Sequence, residues 1–278
     1  MPHRQAKVPA ATIPVPRDAA VPSGVAVFDL DGTLLAWDCQ LLFRHFVVRR
    51  QRWRRLLLPV FLSASPAAPL LGCDRMKRLF LSYLWQMPPE QLSRLCREFA
   101  REIIPAMYPE LLEIIRNHRE RGDLLILASA SPVCYVREIG LQLGFHHSLG
   151  TEVRIGPLVP PLSNHKGQAK VARLRELLPE HWFHEGKILH SHGYTDSTAD
   201  LPMLALCETA TVVNPKPKLA AIARRQGWRI IRPVRPWTSR RGWMARSLAL
   251  LAGLGRDPGG LKATAEKNPE TPRDTPPV

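Results

Sequence analysis

A short apolar run that stops at two carboxylates constrains this chain more than any other feature. Four apolar residues, 25–28, begin a strand pattern over residues 25–30, and Asp29, Asp31, Gly32 and Thr33 follow or interrupt it. An apolar, β-branched stretch that ends at a glycine is typical of a buried parallel strand and its exit loop. Chemistry in open α/β sheets lies beyond the carboxyl ends of such strands.

Two aspartates placed two residues apart at such an edge can divide a reaction between them. One carboxylate can attack an electrophile, and the other can move a proton. Both can face a phosphate together with an oxygen-ligated Mg²⁺ ion. Taken alone, Asp29 and Asp31 also fit an ordinary loop that ends in two solvated acids.

The charge of the chain bears on its partners. The 278 residues include 39 Lys and Arg against 24 Asp and Glu, for a net charge of +15. Such an excess favours anionic partners, namely nucleic acid, acidic lipid or a phosphorylated substrate. The five cysteines are scattered without a C-x-x-C pair, which argues against a disulfide framework and a zinc site. No signal-peptide core or membrane-spanning apolar stretch stands out, so we expect a cytoplasmic protein.

Strand and helix patterns alternate along the chain. Beyond the first run, the patterns predict strands at residues 124–128, 147–153, 187–190, 209–213 and 228–231. They predict intervening helices at residues 133–143, 166–178, 201–207 and 217–225. This alternation predicts an α/β fold with a doubly wound parallel sheet.

The region after the first strand is helical and too long for one crossover. We therefore predict an inserted all-helical cap at residues 38–107 and a core domain made of residues 24–37 and 108–232. The remaining segments are predicted to be a flexible basic tail at 1–23, a basic amphipathic segment at 233–255 and a disordered tail at 256–278.

Ser129 marks the end of the second predicted strand. Its hydroxyl and the free N–H groups of the following helix start can hold a phosphate. Ser131 precedes Pro132, and this pair is typical of an N-cap followed by proline at the first helical position.

Three more polar positions fall at a helix start or after a strand. Either Lys166 or Lys170 opens the helix at 166–178, and Asp196 and Asp200 follow the strand at 187–190. Each of these residues alone fits a solvated surface position. Their order on alternating elements is what indicates a shared site.

The motifs in this order resemble the haloacid dehalogenase superfamily of phosphatases, subclass I and IB-like. The matching elements are D-x-D-G-T at residues 29–33, the strand-end Ser129, a downstream lysine and D-x-x-x-D at residues 196–200. The resemblance covers roughly residues 24–232. It implies a Rossmann-like sheet with a cap between the first strand and the Ser129 strand, and Mg²⁺-dependent hydrolysis of a phosphomonoester through an aspartyl-phosphate.

The resemblance also implies roles for individual residues. Asp29 would be the nucleophile and Asp31 the general acid and base. Asp29, the main-chain carbonyl of Asp31 and Asp196 would hold Mg²⁺, and Asp200 would orient metal-bound water or the lysine. The substrate phosphate would be bound by Gly32, Thr33, Ser129, Ala130 and Lys170. Residues 164–174 align Lys170 rather than Lys166 with the family lysine, and His165 stands where the family usually has Cys.

The cap carries a second signal. Residues 49–55 place five arginines around Trp53, and a proline-broken apolar stretch, residues 56–72, follows. A similar basic run at residues 240–246 precedes a second apolar stretch. This combination favours a monotopic segment at an anionic membrane. The alternative is a solvated charge run beside a buried cap helix, so residues 56–72 either enter the bilayer or pack within the cap.

The cap motifs also resemble phosphatidylglycerophosphatase C-type enzymes, which implies a membrane-associated enzyme acting on a phospholipid head-group phosphate such as phosphatidylglycerophosphate. Residues 200–204, 213–215 and 227–228 fit the soluble phosphoserine and histidinol-phosphate phosphatases as well. A third alternative is a non-catalytic protein of this fold that binds anionic lipid or nucleic acid. No recognised nucleic-acid module appears, so nucleic acid is an unlikely partner, and the sequence does not indicate an oligomeric state.

Overall fold

A mostly parallel sheet organises the chain. The computed structural model describes residues 15–163 and 165–254. The strands in this part are β1 (Val25–Phe28), β2 (Leu124–Pro132), β3 (His147–Val153), β4 (Leu162–Ser163), β5 (Phe183–His184), β6 (Lys187–Thr195), β7 (Cys207–Val213) and β8 (Arg229–Ile231). The sheet order is β4-β3-β2-β1-β6-β7-β8, and β5 pairs with β6. All pairs are parallel except β3–β4 and β5–β6. The predicted doubly wound sheet is confirmed.

Strand β1 lies in the middle of this sheet. Val25 pairs with Leu124 of β2 on one side and with Ser191 of β6 on the other. All four residues of β1 are buried, and they alternate between the two faces of the sheet. Strands β2 and β3 continue the sheet on one side of β1, and strands β6, β7 and β8 continue it on the other. The carboxyl end of β1 is therefore the switch point where such sheets bind ligands.

Helices cover the sheet and build the insertion. In the described residues they are α1 (Cys39–Arg50), α2 (Leu58–Ala64), α3 (Ala68–Phe80), α4 (Pro89–Ile103), α5 (Pro109–Glu120), α6 (Val133–Leu143), α7 (Gln168–Leu177), α8 (Leu201–Ala205), α9 (Pro217–Arg225) and α10 (Arg240–Leu251). Helices α1 to α4 lie between β1 and β2, as predicted for the cap. Helix α5 returns the chain to the sheet and packs against β2.

An aromatic cluster anchors the cap on the core. The ring centroids of Phe43 on α1 and Phe99 on α4 lie 5.1 Å apart, and Tyr135 on α6 lies 4.8 Å from Phe43. All three side chains are buried in one apolar cluster. Because α6 follows the end of β2 directly, this contact fixes the cap close to Ser129.

The proline-broken apolar stretch folds back on itself. It forms α2 and the start of α3, where Gly72 interrupts the helix at φ 75°. Phe61 meets Phe80 with ring centroids 5.2 Å apart, while Leu56 and Leu70 are exposed. Among the described residues, no helix is both long and apolar enough to cross a membrane.

The N-terminal segment differs from its prediction as a flexible tail. The N–H of Val15 donates to the Leu177 carbonyl oxygen at 3.0 Å, and the Trp182 indole donates to the Ala19 carbonyl oxygen at 3.0 Å. The prediction of a flexible tail is therefore wrong for residues 15–23. Residues 1–14 and the predicted tail at 256–278 lie outside the described residues.

Helix α10 lies in the predicted basic amphipathic segment and docks on the cap by its C-terminal end. Arg44, which is buried in α1, donates to the Leu251 carbonyl oxygen. Arg55 donates through Nη2 to the Gly253 carbonyl oxygen at 2.8 Å. Both cations meet carbonyls at the helix C-terminus, where the helix dipole favours positive charge. Leu250 is the one residue of this helix that is buried, so most of the helix surface is exposed, and the amphipathic character of the segment stays a prediction.

We expect the substitution Gly253→Ala to loosen this docking. Gly253 adopts φ 71°, and a Cβ there would lie 2.8 Å from Cγ1 of Val48 and 3.2 Å from Nε of Arg55. Gly186→Ala is the matched control, because Gly186 adopts φ 79° but has no atom within 4 Å of the added Cβ. The control should lower the free energy of unfolding by about 1 kcal/mol, and Gly253→Ala by about 2–3 kcal/mol. Equal losses in chemical denaturation would contradict the docking role.

Candidate active site

Asp29 lies directly after β1, where its N–H donates to the Tyr194 carbonyl oxygen of β6 at 2.9 Å. Its carboxylate is 5% exposed. Oδ1 accepts a hydrogen bond from Nζ of Lys170 at 2.7 Å, and Oδ2 accepts one from the Thr33 hydroxyl at 3.1 Å. Both oxygens are thus held in one orientation at the carboxyl end of the central strand.

Asp31 joins three parts of the molecule. Its Oδ1 accepts from the N–H of Cys39 at the start of the cap at 2.6 Å. Its Oδ2 accepts from the hydroxyls of Ser129 at 3.1 Å and Ser131 at 2.8 Å. This carboxylate therefore contacts both the cap and the end of β2.

Ser131 is a site residue that the sequence analysis assigned wrongly. Strand β2 continues to Pro132, which occupies the N-cap position of α6 without a side-chain cap bond. The Ser131 hydroxyl instead donates to Asp31, and its N–H donates to Oγ of Ser129 at 2.9 Å. The S-x-S spacing on an extended strand, which puts both hydroxyls on one side, was the signal that could have identified it.

Lys170 is a buried cation between two carboxylates. It is 1% exposed, and its Nζ lies 2.7 Å from Asp29 Oδ1 and 2.9 Å from Asp200 Oδ1. Asp200 is held in turn by the Thr195 hydroxyl, which donates to Oδ2 at 2.8 Å. Lys166 is exposed. The structure therefore brings Lys170, and not Lys166, to the predicted site.

Gly32 and Thr33 connect the first motif to Asp196. The Asp196 N–H donates to the Thr33 hydroxyl oxygen at 3.0 Å. Gly32 adopts φ 81°, and a Cβ on it would lie 2.3 Å from Asp196 Oδ2. Only glycine allows both this backbone conformation and this close approach of the carboxylate.

The site concentrates negative charge around one buried lysine. Burial, opposed by Lys170 and reinforced by Asp200, raises the pKa of Asp29 to about 8. Burial and the nearby Asp200 and Asp31 raise the pKa of Asp196 to about 6. Although burial disfavours its charged form, the carboxylates of Asp29 and Asp200 raise the pKa of Lys170. An additional cation beside Asp29 would favour the ionised form of this carboxylate at neutral pH.

The donor set suits Mg²⁺ rather than zinc. In the described part of the chain, no three His, Cys, Asp or Glu side chains form a ready-made cluster. Mg²⁺ does not need one, because it keeps several waters and typically takes one or two carboxylates plus substrate phosphate. Asp29, Asp196 and the main-chain carbonyl of Asp31 are oxygen donors of that kind at one edge of the sheet.

Lys77 reaches the same edge from the cap. Its Nζ donates to the Ala130 carbonyl oxygen and, at 3.0 Å, to the Thr151 hydroxyl oxygen. Burial lowers the pKa of Lys77, while Asp31 opposes this shift. Lys77 could not be predicted as a site residue, because no local pattern indicates which cap residue turns toward the core.

His165 and Asp38 lie close to the site. The N–H of His165 donates to the Thr151 hydroxyl oxygen at 3.2 Å, and burial lowers the pKa of this imidazole to about 4. His165 is therefore neutral at physiological pH. Asp38 caps α1 by accepting from the Leu41 N–H at 3.0 Å.

The chain matches a known hydrolase family, and two similar proteins carry phosphatase names. The family model described as haloacid dehalogenase-like hydrolase matches residues 26–205. A histidinol-phosphatase of Neisseria meningitidis is 26% identical over 74% of this chain and 97% of its own. A phosphoserine phosphatase of Mycobacterium tuberculosis is 27% identical over 82% of this chain and 78% of its own. A solved Bordetella pertussis protein of unknown function has a TM-score of 0.62 and 25% identity, covering 76% of this chain and 98% of its own.

We expect Lys170→Met to destabilise the protein strongly and Lys166→Met to have little effect. Removing the Lys170 ammonium leaves Asp29 and Asp200 buried without their cation, which should cost about 3 kcal/mol in the free energy of unfolding. The exposed Lys166 should contribute less than about 0.5 kcal/mol. Denaturant titration of the two variants side by side checks this. A larger loss for Lys166→Met would mean that the wrong lysine has been assigned.

Proposed function

Because the chain belongs to the haloacid dehalogenase-like hydrolase family, we propose that it is a Mg²⁺-dependent phosphatase that hydrolyses a small phosphomonoester through a phosphorylated Asp29. The observation that carries the proposal is the bridging of Asp29 and Asp200 by the buried Lys170, with Asp31 held two residues away. One carboxylate is fixed by a cation, and the other is surrounded by hydroxyl donors. This asymmetry suits two different chemical roles.

In the first step, a carboxylate oxygen of Asp29 attacks phosphorus. A bond forms between this oxygen and phosphorus, and the bond from phosphorus to the alcohol oxygen breaks. Asp31 gives its proton to the departing alkoxide, so the alcohol leaves neutral. In the second step, Asp31 takes a proton from water, whose oxygen attacks phosphorus and releases Asp29 and inorganic phosphate.

The remaining residues hold the phosphoryl oxygens and the charges. We assign this role to Lys170, the Ser129 hydroxyl and the backbone at Gly32, Thr33 and Ala130, where groups fixed before the reaction stabilise developing charge. Asp29, Asp196 and the Asp31 carbonyl would hold Mg²⁺, which supplies positive charge against the phosphate and the ionised Asp29. Asp200 keeps Lys170 charged and in place.

The substrate class is proposed from the relatives. Two similar proteins carry the names histidinol-phosphatase and phosphoserine phosphatase. Their substrates are small, water-soluble phosphomonoesters, which supports that class for this chain. A phospholipid head-group phosphate is the second candidate, and the acid-free, arginine-rich segment of the cap supports it.

Phosphate release with Mg²⁺ tests both candidates in one assay. The panel contains phosphoserine, histidinol phosphate and phosphatidylglycerophosphate in mixed micelles. We expect release from a soluble ester that disappears when Mg²⁺ is chelated.

Asp29→Asn should lower kcat by at least about a thousandfold, because it removes the nucleophile. The matched control is Asp18→Asn, which neutralises an exposed carboxylate outside the site and should leave kcat unchanged. Turnover by Asp29→Asn close to that of the control would rule out the mechanism. Preference for the lipid would replace the first substrate class with the second.

A further inference from the structure

We propose that helix α10 and the adjacent basic segment of the cap form one docking surface for an anionic lipid bilayer. We call it the arginine surface, and it consists of residues 49–53 and Leu56 of the cap and residues 240–248 of α10. The proposal goes beyond hydrolysis, because it concerns where the protein resides and does not depend on which ester it cleaves.

Both segments lie in stretches without acidic residues. Residues 39–73 contain six arginines and no Asp or Glu, and residues 232–254 contain five arginines and no Asp or Glu. Of the six cap arginines, Arg44 and Arg54 are buried. Acids of α4 neutralise part of the remaining charge. Arg50 pairs with Glu102 and, at 3.6 Å, with Glu98 of α4. The arginines of α10 are exposed.

Exposed apolar side chains accompany the arginines. Leu56 is 78% exposed, and Trp53 next to it is 49% exposed. On α10, every residue from 240 to 246 is exposed, and Trp243, Met244 and Leu248 are all more than two-fifths exposed. A short helix gains its stability from packing an apolar face, but in the described part of the chain Leu250 is the one residue of α10 that is buried.

The fold places these two distant segments side by side. Arg55 of the cap bonds the Gly253 carbonyl oxygen at 2.8 Å, and Arg44 bonds the Leu251 carbonyl oxygen. At 1.5 Å per residue, Trp243 lies about 15 Å along the helix from this junction. The exposed part of α10 therefore begins next to the basic segment of the cap.

The composition of the surface favours a bilayer over its competitors. Arginines with exposed Trp, Leu and Met suit the boundary between acidic head groups and acyl chains. Leu56 and Leu248 would gain nothing on a phosphate backbone, where basic and stacking groups carry the affinity. A second copy of the chain would bring like charge against like charge, which is unfavourable.

Vesicle flotation of the full chain tests the proposal. One vesicle set is pure phosphatidylcholine, and the other contains equal parts phosphatidylcholine and phosphatidylglycerol. We expect flotation with the anionic vesicles alone, weakening as salt is raised. Arg240→Gln, Arg241→Gln and Arg246→Gln together should lower the bound fraction at least about tenfold. Trp243→Ser with Leu248→Ser should also lower it while keeping the charge.

The matched control removes the same charge elsewhere on the cap. Arg94→Gln, Arg97→Gln and Arg101→Gln lie on exposed positions of α4 and should leave flotation unchanged. Chemical denaturation of every variant confirms folding, and neither this control nor flotation needs turnover, so the two proposals fail separately. The assignment is overturned if the protein does not float, if it floats equally with neutral vesicles, or if the control variant loses as much flotation. It is also overturned if the α10 substitutions weaken only binding to a DNA duplex or only formation of a dimer.

Discussion

The buried ion pairs of Lys170 are the interaction on which the rest of the site depends. A lysine 2.7 Å from Asp29 and 2.9 Å from Asp200 offsets charge that the sheet edge could not otherwise tolerate. Lys170 lies on α7 and links Asp29, which follows β1, to Asp200, which follows β6. Breaking it would leave uncompensated carboxylates at the switch point of the sheet. In the proposed mechanism the same ammonium also binds the substrate phosphate, so stability and chemistry would depend on one group.

The cap packs close to this charged edge of the sheet. The aromatic cluster of Phe43, Phe99 and Tyr135 connects cap helices α1 and α4 to helix α6 of the core. Lys77 then brings a cap cation to the carbonyl of Ala130, directly between the two serines that bond Asp31. Helix α10 adds an outer attachment through Arg44 and Arg55. The cap is thus attached at two places. Lys77 holds it beside the site, and the C-terminal end of α10 bonds to Arg44 and Arg55 of the cap.

Periodicity and motif spacing predicted the sheet, the insertion and most site residues, because each depends on local pattern and strand ends. Asp29, Asp31, Ser129, Lys170, Asp196 and Asp200 do meet at one edge. Ser131 was misassigned because its helix-start pattern competes with a longer strand β2. Lys77 and the docking of α10 could not be predicted, because both depend on which way the cap packs. For residues 56–72 the sequence left two alternatives open, entry into a bilayer or packing within the cap, because the packing of Phe61 against Phe80 depends on how the stretch folds back on itself.

Trapping the phosphorylated protein tests the central claim most directly. Asp31→Asn is mixed with p-nitrophenyl phosphate and Mg²⁺ and then quenched in acid. This ester's leaving group needs little protonation, whereas release of the enzyme by water needs the Asp31 base. The account predicts that the peptide containing Asp29 accumulates the mass of one phosphoryl group and that Asp29→Asn abolishes it. A phosphoryl group on another residue, or turnover with no trapped group at any quench time, would contradict it.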